Sequence, residues 1–176
     1  MNTNTSIARH TKPQIETEIC KAIIITIAGH LLAIPVSTVY KVIRSSLDYS
    51  TDNIGTNEFK LVNLDDRVLP VIDLHNILAK IKPSNNLEYT FQSLSNEDKF
   101  FVLAKSNQGK ISAIYVDTPP TLMDLPLKNT YLLPSYEQNN IGHIASHIAV
   151  VPFQQSNLTI LLLDIQQALD AVGFNR

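Results

Sequence analysis

His143 and His147 stand four residues apart. On a helix that spacing puts both imidazoles on one face, where they can ligate zinc. Their neighbours Gly142, Ile144, Ile148 and Val150 read instead as a strand, along which four residues span about 13 Å. Ile144 also stands where a metalloprotease motif carries its glutamate. We therefore read surface or core histidines, and no metal site. Asp65-Asp66 and the Asp48/Asp52 pair are the acidic candidates. Glycosidase or nuclease chemistry needs carboxylates that converge across a cleft, whereas adjacent aspartates are ordinary turn residues. Cys20 has no histidine or aspartate beside it to activate a thiolate, so it reads as a small, half-buried hydrophobe. No GxGxxG, GxxxxGK(S/T) or GxSxG occurs, which excludes a phosphate-cradling loop and a nucleophile elbow. The expectation is no catalytic residue, no metal and no cofactor.

The bulk properties agree. The chain has 176 residues and a formal net charge of −2, enough for one domain or two small entangled ones. No Lys/Arg block occurs, so nucleic-acid binding has no electrostatic driver. Apolar runs stay far below the ~18 residues that direct membrane insertion needs. The segment MNTNTSIARHTKPQIETEIC has no apolar core of a secretory signal. A single cysteine fits a reducing cytoplasm. Only 17% of residues are charged, against about 25% in ordinary domains. Either Asn, Ser, Thr and Gln supply the surface, or apolar patches stay uncovered and mark protein contacts.

These residues need elements to hold them. Residues 1–19 read as a mobile tail and 20–173 as a single domain of two β-subdomains. Ile23–Ile27 and Leu31–Ile34 form a β-hairpin around Ala28-Gly29-His30. Pro35, with Val36, Val39 and Val42 or Ile43 three to four residues apart, predicts a two-turn helix. Residues 44–58 read as a loop, 59–64 and 67–74 as a strand pair, and Pro70 demands an edge or bulge. Asp73 is placed to cap a short helix of LHNILAKI, and 82–98 is a long polar connector. Residues 99–105 and 110–117 make a second hairpin through the turn SNQG. Residues 118–129, rich in proline, are irregular or edge structure. A further strand pair follows, of which 158–164 is buried. Asp164 and Gln167 form a capping box for a last helix that stops at Gly173. The tally is about eight to ten short strands without βαβ alternation, a mainly β fold of barrels or a sandwich. The two halves look loosely alike, each a hairpin followed by a strand pair.

Four segments, in order and spacing, resemble the CheW-like domain of bacterial chemotaxis. The first is L-x-A-I-P-V-x-x-V-x-x-V-I, Leu31 to Ile43. The second is K-L-V-N-L-D-D-R-V-L-P-V-I-D-L, 60–74, similar to the family's N-L-R-G strand pair with its P-V-x-D-L close. The third is I-S-A-I-Y-V-D, 111–117. The fourth is Ile141-Gly142 with the closing L-L-L-D, 161–164. The resemblance implies two intertwined five-stranded SH3-like barrels, an apolar groove between them, short helices and a C-terminal helix. It also implies a non-catalytic adaptor that joins a CheA-like histidine kinase to methyl-accepting chemoreceptors in cytoplasmic arrays, for chemotaxis or pilus-based motility. The partner-binding residues it implies are Val36, Val39, Val42, Val62, Leu64 and Pro70, with Lys41 and Asp65 as specificity charges.

Two departures stand out. The family's N-L-R-G is Asn63-Leu64-Asp65-Asp66 here, without its arginine and glycine, and the acid of its V-x-E element is Lys41. Lys41 and Asp65 are either a charge-reversed pair or two unrelated surface charges. The missing arginine leaves room for a diverged scaffold or inhibitor that binds the kinase without receptor coupling. A small enzyme of unrecognised type is the remaining alternative, and no residue constellation speaks for it.

Overall fold

The structure is a computed structural model that describes residues 18–45, 50–54, 57–64, 66–83, 99–135 and 141–173. Strands β1 (Ile19–Ile27) and β2 (His30–Pro35) make the first hairpin. Its turn, Ala28-Gly29, has φ of +49° and +79°, the left-handed pair that matches the twist of a two-residue hairpin. A 3-10 turn at Val36–Thr38 leads into β3 (Val39–Ser45), then β4 (Ser50–Ile54), β5 (Asn57–Leu64) and β6 (Arg67–Ile72). Helix α1 (His75–Leu78) is one turn. The hairpin β7 (Lys99–Lys105) and β8 (Ile111–Val116) follows, then β9 (Thr121–Pro126), a 3-10 turn at Leu127–Asn129 and β10 (Thr130–Leu132). The chain closes with β11 (Ala145–Phe153), β12 (Ser156–Leu163) and α2 (Ile165–Ala171).

Two ladders form, each of six strands: β10-β11-β12-β2-β1-β9 and β3-β7-β8-β6-β5-β4. Connectivity curls both. Laid flat, six strands would part the outermost two by about 24 Å. Yet β9 and β10 are joined by the three residues Leu127–Asn129, which reach at most about 14 Å, and β3 and β4 are separated only by residues 46–49. Each such segment therefore bridges both edges of its own sheet. Counted as one bent strand, it makes each sheet a five-stranded SH3-like barrel. We call them the central barrel (β3–β8) and the terminal barrel, which takes β1 and β2 from one part of the chain and β9–β12 from another. The barrels are thus intertwined.

Each barrel has its own core. Val62, Leu64, Leu69, Val71, Phe101, Leu103 and Ala113 fill the central one; Ala22, Ile24, Leu31, Ala33, Leu125, Leu158 and Ile160 are among those filling the terminal one. The largest buried cluster lies between them. It combines Ile25, Ile27, Leu32, Ile34 and Leu163 of the terminal barrel with Ile72, Phe100, Val102, Ile114 and Val116 of the central one, sealed by Leu74, Leu78, Ile165 and Leu169. The groove implied between the barrels is therefore a filled core; among the described residues, exposed apolar side chains include Val36 and Val42 at its rim and also Val68, Leu122 and Leu132.

Several expectations change. Residues 36–43 are a 3-10 turn and a strand, not a helix. The loop expected over 44–58 contains the end of β3, all of β4 and the start of β5. Pro70 lies in an inner strand of its ladder. It is tolerated because it precedes the first β6–β8 pair, Val71 with Ala113, so no donor is needed there. Ile19, expected in the tail, begins β1; residues 1–17, like 84–98 of the connector, lie outside the described residues. Asp164 accepts from the Gln167 backbone N–H at 2.9 Å, and Gly173 has φ +85°, as the end signals of α2 required.

Candidate functional site

Val36, Val39 and Val42 do share a side of the molecule, for a reason other than a helix. The 3-10 turn has a three-residue period. Next, the register of β3 against β7 shifts between Val39, paired with Ala104, and Lys41, paired with Leu103. Tyr40 is the extra residue of this bulge, and a bulge restores the side-chain phase after three residues instead of two. Val42 then pairs with Val102, Val102 with Ile114, and Ile114 with Ile72. Paired side chains point to one side. Val102, Ile114 and Ile72 are fully buried against the terminal barrel. Val42 ends this row at the surface, 42% exposed, with Val36 at 38% and Val39 packed on the shared core.

The bulge aims Tyr40 outward, 62% exposed. The ring lines a hollow of about 100 Å³ with Leu64, Arg67, Leu69, Leu103 and Ile111. Val68 is exposed on β6. Tyr40, Arg67 and Val68 are absent from the sequence-level site. The signal for Tyr40 was the Pro-turn-Tyr spacing, which recurs as Pro126 and Tyr131 in the terminal barrel.

The expected site residues separate. Val36, Lys41 and Val42 are exposed, and Val39 and Pro70 are half-buried. Val62 and Leu64 are core residues at 2% and 5% exposure. Val62 cannot meet a partner without opening the barrel, because strand alternation turns it inward beside Leu69 and Phe101; Leu64 reaches only the floor of the hollow. Asp65 lies outside the described residues, and with it the Lys41–Asp65 pairing. Asp66 has φ +60°, the left-handed conformation that suits the glycine of the family's N-L-R-G. His143 is in the turn before β11 and His147 on β11, so no helix brings them to one face.

A polar cluster lies where the central barrel meets the β1–β2 turn. Lys60 Nζ of β5 contacts Asp73 Oδ2, and His75 Nδ1 lies 2.6 Å from Asp73 Oδ1. The His75 backbone N–H also donates to Asp73, at 3.1 Å. This is the capping role expected of Asp73, one residue earlier than a usual cap. His75 Nε2 contacts Asp117 Oδ1, and the other Asp117 oxygen accepts from the Ala28 N–H at 2.9 Å. Ionised carboxylates only accept, so both ring nitrogens carry protons and the ring is an imidazolium. Hydrogen bonds from Asp117 and Asp73 push the His75 pKa up to about 9, against burial that lowers it. Burial raises the Asp73 pKa, but bonds from His75 and Lys60 override it and hold the carboxyl well below the usual range.

Residues 21–173 match the family model described as a CheW-like domain. The fold is shared with the scaffolding protein TtCheW from Thermoanaerobacter tengcongensis, at a TM-score of 0.60 and 15% identity over 84% of this chain and 91% of that one. No curated relative matches the sequence. The family match runs from β1 through α2, so it takes in both barrels and the shared core that unites them. Barrels that exchange a hairpin, a P-V-I-D-L close on β6 and a match of this span lead to one conclusion: the chain belongs to the CheW-like domain family.

Proposed function

We propose that the protein is a non-catalytic adaptor that couples a CheA-like histidine kinase to methyl-accepting chemoreceptors, in chemotaxis or pilus-based motility, at cytoplasmic receptor arrays. The observation that carries this reading is the family match across both barrels. The uncovered apolar rim supports it. Val36, Tyr40, Val42 and Val68 are exposed aliphatic and aromatic side chains, and Tyr40 lines a shallow hollow; such exposed apolar surface has the composition of a protein-docking patch. We place docking there, with Val39, Lys41, Leu64 and Pro70 as its margin and support, and keep Asp65 as the specificity charge that the family resemblance implies. The histidine most like a catalytic base, His75, has both nitrogens occupied by carboxylates and so has no lone pair to take a proton. No helix among the described residues is long and apolar enough to cross a membrane, so attachment to an array would come through partners.

The test is reconstitution with the cognate kinase and receptor-bearing membranes. The chain is expected to bring the kinase to the membranes and to raise its autophosphorylation there. The second reading, a scaffold that binds the kinase without receptor coupling, rests on aspartate replacing the family's arginine at position 65. It requires recruitment of the kinase in solution with no activation on membranes. Folded protein that binds neither partner overturns both readings.

A further inference from the structure

Lys60, Asp73, His75 and Asp117 lie 13 to 42 residues apart along each successive link except the local one between Asp73 and His75. All four belong to the central barrel or the segments leaving it, yet the chain of contacts ends on the other barrel. Asp117 is bonded to the β1–β2 hairpin twice: its carboxylate accepts from the Ala28 N–H of the turn at 2.9 Å, and its own N–H donates to Thr26 O of β1 at 3.1 Å. Ala28 holds a left-handed φ of +49°, a conformation unfavourable for alanine that a fixed acceptor helps to maintain. The next residue, Gly29, lies against Pro83, so that a Cβ there would sit 3.3 Å from the proline ring. His30 then donates Nε2–H toward Leu78 O and Ile81 O, both at 3.1 Å. The turn is thus seated on the α1 region from three sides, and only the Asp117 side depends on charge.

We propose that Lys60, Asp73, His75 and Asp117 form an inter-barrel latch, in which the His75 imidazolium holds Asp117 where it seats the β1–β2 turn of the terminal barrel on the central barrel. The charged state is required by geometry. Two carboxylates on opposite ring nitrogens can both be satisfied only by a ring with two N–H donors. Loss of one proton leaves one carboxylate facing a lone pair, and Asp117, the more exposed of the two, is the one released, because Asp73 keeps Lys60. Among the described residues, the groups facing His75 are Asp73 from the segment after β6, Asp117 from the segment after β8, and the Tyr115 ring of β8, centred 5.0 Å away. Lys60 of β5 faces Asp73. The device lets a change at β5 be felt at a turn of the other barrel.

Amide hydrogen exchange of the full chain, followed by NMR and corrected for intrinsic rates, tests this. In His75→Gln, which retains one side-chain donor group, protection of the Ala28 amide is expected to fall at least tenfold while the β7–β8 amides keep theirs. Lys60→Met, at the far end, is expected to cause a smaller loss at the same amide. In the unsubstituted protein the same selective loss is expected as pH rises through about 9. Unchanged Ala28 protection in both His75→Gln and Lys60→Met overturns the latch. So does a loss spread evenly over both barrels, which would mean a global decrease in stability instead of a local release.

Discussion

At the scale of single residues, charge and backbone angle decide more than burial. His75 has a folded-state pKa near 9, above the ordinary 6.5. A group whose pKa is raised on folding contributes fully below its unfolded value and loses that contribution as pH climbs through the folded one. Stability is therefore expected to decline between about pH 6.5 and 9, and His75→Gln should flatten this slope and cost about 2 kcal/mol at pH 6, as for hydrogen bonds to charged groups. Urea midpoints across pH measure both. Asp66, at φ +60°, predicts the opposite sign. Asp66→Gly relieves about 1 kcal/mol of left-handed strain and returns about half of that as chain entropy, a net gain of about 0.5 kcal/mol in the same assay. Asp73 was legible as a cap, because capping is local. Its larger engagement was not, because Lys60 and Asp117 reach the cluster only once β5, β6 and β8 are side by side.

Elements were legible where pattern and geometry share a period. The hairpins β1–β2 and β7–β8, the buried strand β12 and the capped helix α2 follow from alternation, turn residues and end signals. Residues 36–42 misled because a 3-10 turn followed by a bulge imitates helical spacing. Strand β4, Ser-Thr-Asp-Asn-Ile, has almost no apolar signal. It exists through backbone pairing with β5 along a ladder edge, which no side-chain pattern records. Asp164→Ala, removing the side-chain N-cap of α2, should cost about 1 kcal/mol, visible as a lower urea midpoint with an unchanged slope. Gly29→Ala adds a Cβ at φ +79° beside Pro83 and should cost about 1–2 kcal/mol.

For the whole molecule, local pattern shows two similar halves but not how they are shared. Each barrel combines a bent segment with its 3-10 turn or bridging stretch, a hairpin ending in an aspartate and a helix, and a second hairpin. In the central barrel these follow in order; in the terminal barrel the second hairpin, β1–β2, comes first in the chain and runs straight into the other barrel's bent segment. Each barrel also contains one parallel pair, β6 with β8 and β12 with β2. Only the resemblance to a family made this exchange legible, since a strand's own residues do not name its non-local partner. Because the largest buried cluster draws on both barrels, calorimetry should show one cooperative unfolding transition with matching calorimetric and van't Hoff enthalpies; two separate transitions would contradict the shared core. The proposed docking of partner proteins on the apolar rim bears most on function. Its most direct measurement is calorimetric titration of the cognate kinase's regulatory domain into the chain, and into Val42→Asp, with folding of the variant verified by circular dichroism. Binding by the unsubstituted chain and a loss of at least tenfold in Val42→Asp is the predicted result; equal affinity for both proteins would contradict it.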